Sequence, residues 1–461
     1  MKNRVWSLLI GVQLIRSAYS YRYGHGPPVE QFEVSNSSGD PLILTPLLEN
    51  NQIQEAQQAA QVNYSGFQDI VSYAAYFTVD NVHNSNLWFW YFPSENDTKN
   101  DPVVLWLQGG PGSSSLFALF TENGPFKVDA NLNVSIREIH WSISHSVLYI
   151  DNPVGTGFSF TNDDGYAQNE TKVGSDLYSA LVQFFTLFPD LQQNDFYISG
   201  ESYAGKYVPA LARTIHQNNP SATLKINLKG LLIGNGWTDP VNQLDYGEYL
   251  YQAGIFDVHD KATMDGYEAE AKRLIEAGQF VDAVNYTDNL ILDAISNVGI
   301  ADIYNYLNIE ADPNERKYEQ FVQTVVRDEL HVGGTVFDNG DNAYDNLKND
   351  STQSVAPWVE ELLSEYPILL YSGQVDTVCP YPLMVNYIQK LNFSAAQEYQ
   401  SALRQIWTID SDVAGYIKTA GNLTELFVRD AGHYVARDQA KWALNFVTRF
   451  TRGLPIQDDD N

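Results

Sequence analysis

Cysteine is almost absent from this sequence, because Cys379 is the only one in a chain of 461 residues. A single thiol cannot form an intramolecular disulfide. A chain of this length can bury a core large enough to be stable without one, so the absence does not exclude a secreted protein. We interpret Cys379 as a buried core residue, since free cysteines usually pack as small apolar side chains.

Basic residues are also scarce. Lys and Arg together number 27 against 57 Asp and Glu, which gives a formal net charge of −30 and a pI of about 4.4. Proteins that bind nucleic acid need a basic face, so we expect no nucleic-acid partner. The acidity fits either general solubility or work in an acidic compartment, where protonation would reduce the charge.

Long apolar runs are missing as well, and we expect no membrane-spanning segment. Residues 1–20 are too short and too polar to span a bilayer, but Lys2 and Arg4 precede an apolar stretch and residues 18–20 offer a small-x-small cleavage site. This pattern predicts a secretory signal peptide and an extracellular or lysosomal location. Nine N-x-S/T sequons support that location and predict glycosylation at Asn36, Asn63, Asn96, Asn133, Asn169, Asn285, Asn349, Asn392 and Asn422.

Metal-ligand motifs are the last notable absence. The chain has no H-E-x-x-H or comparable cluster of His and Glu. Zinc enzymes that cleave peptides need such a cluster. We therefore expect neither a metal nor any other cofactor.

The chain does contain a series of short apolar runs, each ending in or followed by Gly, Asp or Asn. They alternate with helical stretches, in one of which the apolar residues fall on a single stripe. Strands that alternate with helices in this way predict an α/β fold with a mostly parallel central sheet flanked by helices. The predicted strands are 87–92, 103–108, 146–151, 195–200, 229–234, 368–373 and 425–430.

Two regions depart from this alternation. Residues 240–345 are acidic and helix-rich, which predicts a helical insertion, either a lid over the sheet or plain surface decoration. Residues 21–65 are polar and rich in Asn and Gln, which predicts a surface arm. The predicted organisation is a signal peptide at 1–20, the first part of the core at 21–239, the insertion at 240–345 and the second part of the core at 346–461.

Phe196 to Val208, FYISGESYAGKYV, runs a strand into a glycine and then into a helix, with Ser202 at the corner. Gly200 and Ala204 provide the small residues that a strand-to-helix nucleophile elbow requires two positions before and after its serine. On this pattern alone, an ordinary helix cap remains the alternative. Asp376 and His433 each follow a later predicted strand, and they supply the carboxylate and the base that a nucleophilic serine needs, in the chain order Ser, Asp, His.

Six linked blocks of the sequence resemble the serine carboxypeptidases, nearest to their vitellogenic carboxypeptidase-like branch. The resemblance runs in order from about residue 70 to 450. The blocks are WLQGGPGSSS, DNPVGTGFSF, GESYAGKYVPALA, LKGLLIGNGWTDP, YSGQVDTVC and AGHYVARDQ.

This resemblance implies an α/β-hydrolase fold with a helical insertion, and removal of C-terminal residues from peptide and protein substrates. Carried over by motif, Ser202 is the nucleophile, Asp376 the orienting carboxylate and His433 the general base. The backbone N–H groups of Gly110 and Tyr203 are expected to form the oxyanion hole.

The resemblance also implies a site for the free carboxylate of the substrate. In the family it is bound by the Asn of WLNGGPG, the following glycine and the Glu before the serine, which here are Gln108, Gly109 and Glu201. Trp106 is expected to orient Gln108, and Glu122 to pair with Glu201 and share a proton. Two adjacent carboxyl groups cannot easily both ionise, so we expect an acidic pH optimum.

The chain departs from the family pattern at several positions. Tyr434 stands where the family commonly has Met, beside the pocket for the leaving residue, so we expect an altered specificity pocket. Gln374 replaces the first Asp of G-D-x-D, but Asp376 keeps its place. The disulfides usual in the family are absent.

Two alternatives to a carboxypeptidase stay open at this stage. An acyltransferase on the same scaffold would keep the triad, although the residues for carboxylate recognition argue against it. A catalytically silent yolk or secretory binding protein would leave Ser202 unreactive towards an organophosphonate. A homodimer is compatible with the sequence. The sequence does not specify which C-terminal residue of a substrate is preferred.

Overall fold

The computed structural model of the chain describes residues 39–457. The predicted signal peptide at 1–20 and the sequon at Asn36 lie outside the described residues. The strands are β1 (Tyr73–Asp80), β2 (Ser85–Phe92), β3 (Val103–Leu107), β4 (Phe126–Val128), β5 (Val134–Ile136), β6 (Ser146–Ile150), β7 (Phe196–Glu201), β8 (Leu228–Gly234), β9 (Ile368–Gly373), β10 (Gln405–Ile409), β11 (Asp412–Ala420) and β12 (Leu423–Val428).

Ten of these strands form one sheet in the order β1-β2-β6-β3-β7-β8-β9-β12-β11-β10. The six from β6 to β12 pair in parallel, while β1-β2, β2-β6, β12-β11 and β11-β10 pair antiparallel. The predicted, mostly parallel sheet is therefore confirmed. Strands β3, β6, β7 and β9 are buried at every residue, because helices cover both faces and each strand can be apolar throughout.

Helices cover both faces of the sheet and form the segment between β8 and β9. They are α1 (Thr45–Glu49), α2 (Ile53–Ala60), α3 (Leu116–Thr121), α4 (Glu170–Leu187), α5 (Ala204–Asn218), α6 (Tyr246–Gln252), α7 (Val258–Glu276), α8 (Phe280–Val284), α9 (Leu292–Ser296), α10 (Lys317–Thr324), α11 (Asp341–Ser351), α12 (Ala356–Leu363), α13 (Tyr381–Ile388), α14 (Ala396–Ser401), α15 (Val435–Asp438) and α16 (Ala440–Thr451). A π-helix, Asn285–Ile291, joins α8 to α9. No helix within residues 39–457 has both the length and the apolar character needed to cross a bilayer.

Two large apolar clusters form the core, one on each face of the sheet. One includes the stripe of α4, in which Val173, Leu177 and Leu181 are fully buried. The other contains the tryptophans of β2 and β3 and also the buried apolar residues of α16. A third, smaller cluster lies largely within the segment that follows β8, where Leu250, Met264 and other side chains pack together. Within residues 240–345 the structure has helices and no strand.

The sequence analysis did not predict the two helices that the structure shows within the surface arm. Helices α1 and α2 pack onto the core, and Leu44, Leu48, Ala56 and Ala60 belong to the cluster that contains the α4 stripe. The polar composition hid them, because short amphipathic helices need only a few apolar residues on one face. The antiparallel strands β1, β10 and β11 were also not predicted.

Candidate active site

Ser202 lies at the sharp corner between β7 and α5. Its φ is +61°, a left-handed conformation that residues other than glycine rarely adopt. The corner is so tight that a Cβ on Gly200 would lie 2.6 Å from the Cβ of Ala204. The small residues predicted around the serine therefore have a steric reason, and the geometry is that of a nucleophile elbow.

The end of β8 holds this corner in place. The Ser202 N–H donates to the Gly234 carbonyl at 3.0 Å, and the Ser202 carbonyl accepts from the N–H groups of Gly205 (2.9 Å) and Trp237 (2.8 Å). Both backbone groups of the serine are thus satisfied, so its side chain is fixed at the carboxyl edge of the sheet. Parallel sheets bind ligands at this edge.

His433 and Asp376 form a buried pair. The His433 Nδ1 lies 2.8 Å from the Asp376 Oδ2, and the two residues are 1% and 0% exposed. A carboxylate at this distance accepts the Nδ1 proton, which fixes the tautomer of the imidazole and leaves Nε2 to accept a proton. His433 and Ser202 line the same cavity.

Three further donors hold the Asp376 carboxylate. Oδ2 accepts from Asn235 Nδ2 at 2.7 Å and from the Cys379 N–H at 3.0 Å, and Oδ1 accepts from the Val378 N–H at 2.7 Å. Asn235 is fully buried and has a φ of +41°. The sequence analysis missed it, although a buried Asn between two glycines at a strand end is a signal that could have found it.

Gly110 and Tyr203, predicted to form the oxyanion hole, line the cavity beside Ser202. Gly110 has a φ of +114°, which only glycine adopts without strain. Neither amide N–H donates to another group within residues 39–457. The neighbouring Gly109 packs tightly on the elbow, because a Cβ there would lie 2.6 Å from the Tyr203 nitrogen.

The residues predicted to recognise a carboxylate form a chain of hydrogen bonds. Trp106 Nε1 donates to Gln108 Oε1 at 3.0 Å, and Gln108 Nε2 donates to Glu201 Oε1 at 2.8 Å. The longer stem of Gln108 therefore still reaches Glu201. Within residues 39–457 no donor bonds to the Glu122 oxygens, and the Glu201 carboxyl is the neighbour with which they interact.

Burial and mutual repulsion favour a proton on this carboxyl pair. Burial raises the pKa of Glu201 well above its usual value, and the adjacent Glu122 raises it further. Burial also raises the pKa of Glu122 to about 7. Both side chains are almost completely inaccessible to solvent, so in mildly acidic solution the pair is protonated and can donate a hydrogen bond.

Tyr434 stands between two cavities. It lines the cavity of Ser202 and His433, and also a second one that shares Gln108 with the first. Its ring packs 4.8 Å from that of Phe117 and 4.9 Å from that of Tyr304, centroid to centroid. The bulk of Tyr434 therefore limits both spaces.

Other residues discussed from the sequence also have defined places. Cys379 is buried and lines the cavity of Ser202, and burial raises the pKa of its thiol. Gln374 Oε1 accepts from the Asp430 N–H at 3.1 Å, which links the loops after β9 and β12. The eight sequon asparagines from Asn63 to Asn422 are all exposed.

Comparison with known proteins gives the family. The family model for serine carboxypeptidases, peptidase S10, matches residues 64–453. The chain belongs to the serine carboxypeptidase family. It is a serine-type carboxypeptidase, a hydrolase, and the predicted family is confirmed.

Named relatives agree with this assignment over most of the chain. The carboxypeptidase is 48% identical to the venom serine carboxypeptidase of Apis mellifera, covering 90% of this chain and 91% of the relative. It is 44% identical to the vitellogenic carboxypeptidase of Aedes aegypti, covering 90% of each. Identity to the probable serine carboxypeptidase CPVL of Homo sapiens is 38%, covering 98% of each.

A solved structure supports the fold. The carboxypeptidase resembles Kex1(delta)P, a prohormone-processing carboxypeptidase from Saccharomyces cerevisiae, with a TM-score of 0.75 and 25% sequence identity. The match covers 86% of this chain and 96% of that one. The predicted α/β-hydrolase fold is confirmed.

Proposed function

We propose that Ser202, Asp376 and His433 are the catalytic triad with which this carboxypeptidase removes C-terminal residues from peptides and proteins. His433 Nε2 takes the proton of Ser202 Oγ as the serine attacks the last peptide carbonyl, and then passes that proton to the leaving amine. A water molecule, deprotonated by His433, then hydrolyses the acyl-enzyme. The N–H groups of Gly110 and Tyr203 stabilise the oxyanion in both steps.

The free carboxylate of the substrate binds beside the elbow. Gln108, the Gly109 N–H and a protonated Glu201 are the proposed donors, while Trp106 orients Gln108 and Glu122 keeps the proton on Glu201. Support comes from the hydrogen bonds from Trp106 to Gln108 and from Gln108 to Glu201. Because the donor role of Glu201 needs a proton, the pH optimum for peptides is acidic.

The second cavity is the proposed pocket for the leaving residue. It shares Gln108 with the main cavity. A peptide whose terminal carboxylate is bound by Gln108 would therefore place the side chain of its last residue in this second cavity. Tyr434 limits this pocket and so restricts the size of the residue released.

We further propose that the enzyme enters the secretory pathway and works in an extracellular or lysosomal compartment. The signal-like residues 1–20 and the exposure of the eight described sequon asparagines support it. The venom relative of Apis mellifera has a name that fits such a location. The helical residues 240–345 act as the insertion above the site.

The observation that carries the catalytic proposal is the hydrogen bond from His433, which lines the same cavity as Ser202, to a fully buried Asp376. Ser202→Ala and His433→Ala are expected to lower turnover by several orders of magnitude, on the scale of about 10⁶-fold for a broken triad. The assay compares peptides with free and amidated C-termini and labels the serine with an organophosphonate. Ser202→Ala protein that keeps more than a small fraction of the parent turnover would refute the proposal.

A further inference from the structure

Residues 303–306, between α9 and α10, lie against the two loops that carry Asp376 and His433. We call these four residues the clamp segment. The acid loop, which carries Asp376, follows β9, and the base loop, which carries His433, follows β12. These strands are neighbours in the sheet, and the two loops also bond directly, from the Val375 N–H to the Ala431 carbonyl at 2.9 Å. The clamp segment adds attachments further along both loops. The bonds of the clamp segment reach both loops.

The clamp segment bonds to both sequence neighbours of Asp376. The Ile303 carbonyl accepts from the Thr377 N–H at 3.3 Å and from the Thr377 hydroxyl at 2.6 Å. On the other side, the Tyr306 N–H donates to the Val375 carbonyl at 3.2 Å. The acid is therefore bracketed by two attachments and cannot shift without breaking one of them.

The same segment bonds to the catalytic base itself. The Tyr304 carbonyl accepts from the His433 N–H at 2.7 Å. A Cβ on the preceding Gly432 would lie only 2.2 Å from that carbonyl, so the two backbones are in close contact. The Tyr304 ring also lies 5.4 Å from the imidazole, centroid to centroid.

One side chain fastens this arrangement. Asn305 Nδ2 donates to Asp438 Oδ2 at 2.9 Å, and that same oxygen accepts from the Gly432 N–H at 2.8 Å. Asn305 Oδ1 accepts from the Leu307 N–H at 3.1 Å. Asn305 is only 7% exposed, so water does not readily replace these bonds.

We propose that the clamp segment, together with the direct bonds between the two loops, holds the base in place relative to the acid, with Asn305 as its positioning residue. The inference rests on the proposed triad, and Asn305 does not touch the substrate. If the proposal holds, turnover depends on a part of the helical insertion. The reason is that a small displacement of a catalytic group can lower the rate about 100-fold. Asn305 itself lines neither cavity, so its substitution should leave substrate binding nearly unchanged.

The first test compares Asn305→Ala with Asn218→Ala. Asn218 is a matched control, because it is exposed and its side chain donates to the Thr214 carbonyl at 2.8 Å, at the end of α5 far from Ser202. Asn305→Ala should lower kcat by roughly 10- to 100-fold and leave KM within about twofold, whereas Asn218→Ala should change neither. A kcat for Asn305→Ala equal to that of the control would overturn the proposal.

The second test changes the acceptor of these bonds and compares Asp438→Ala with Asp438→Asn. The amide oxygen of Asp438→Asn can take the place of Oδ2 and accept from both Asn305 and the Gly432 N–H, whereas Asp438→Ala loses both bonds. Asp438→Ala should therefore lower kcat and leave KM nearly unchanged, and Asp438→Asn should keep most of the parent kcat. A folded Asp438→Ala protein with the parent kcat contradicts the proposal, also where Asn305→Ala fails to fold.

His433→Ala in the same series separates the two levels of the argument. If His433→Ala still hydrolyses peptides, the proposed triad is wrong and the clamp has nothing to position. If His433→Ala is inactive and Asn305→Ala is fully active, only the clamp inference is wrong.

Discussion

Replacing Glu201 with glutamine should remove most of the pH dependence of peptide binding by this carboxypeptidase. In the proposed mechanism, Glu201 of the parent donates to the substrate carboxylate only while the pair with Glu122 holds a proton. Burial raises the pKa of both groups, that of Glu122 to about 7. As pH rises through this raised pKa the proton leaves, a donor is lost and a like charge faces the substrate. Peptide affinity therefore falls on the alkaline side.

The size of the effect follows from a single proton and a single hydrogen bond. Each pH unit above the pKa of the pair should raise KM about tenfold, which corresponds to about 1.36 kcal/mol. A hydrogen bond to a charged group contributes about 1.5–3 kcal/mol, so the rise should level off at roughly 10- to 150-fold unless repulsion extends it. The amide of Glu201→Gln donates at every pH and should keep the KM nearly constant.

The assay measures kcat and KM between pH 4 and 8 for a peptide and for its C-terminal amide. The amide has no carboxylate to bind, so its KM should lack the alkaline rise in the parent as well. Glu268→Gln is a matched control, because Glu268 is a buried glutamate of α7 whose pKa is also raised by burial. If the KM of Glu201→Gln rises with pH as steeply as that of the parent, the paired-carboxyl reasoning is wrong.

The remaining predictions concern specificity and stability. Tyr434→Met should favour bulky C-terminal residues over small ones by about tenfold in kcat/KM, because about 1–3 kcal/mol is typical of such changes in pocket size; an unchanged ranking across a peptide panel would place Tyr434 outside the pocket. Burial raises the pKa of Glu170 to about 8, so the parent loses stability as pH rises from about 4.5 towards 8. The loss should amount to about 1.4 kcal/mol of unfolding free energy per pH unit, and Glu170→Gln should lack it. Urea unfolding of both proteins across this pH range tests this, and stability profiles that run parallel in the parent and the variant would refute it.

Local sequence patterns predicted where the proposed catalytic residues lie, because these residues follow strands. Each apolar run that ends at a turn residue gave a strand of the central sheet, and Ser202, Asp376 and His433 follow β7, β9 and β12. Parallel strands bring their carboxyl ends to one edge, so three residues far apart in the chain converge there. The order of strands and turn residues along the sequence is enough to predict that these residues meet at one edge, without any knowledge of their contacts.

Contacts between distant segments could not be predicted in the same way. Helices α1 and α2 show no strong apolar pattern, and their burial depends on the core surface that they meet. The bonds of the clamp segment join residues about 70 and 130 positions apart, and nothing in the residues 303–306 marks them as neighbours of a catalytic loop. The prediction of residues 240–345 as an insertion therefore gave the helices but not their link to the site.

The position of β8 in the sheet explains why Asn235 lies beside the residues of the proposed triad. β8 lies between β7, which carries the serine, and β9, which precedes the acid. Gly234 at its end accepts from the Ser202 N–H, and Asn235 donates to Asp376. The end of β8 and the residue after it therefore contact both Ser202 and Asp376. A strand order predicted from the family resemblance would have indicated such a residue, because the strand between two catalytic strands must end at the same edge.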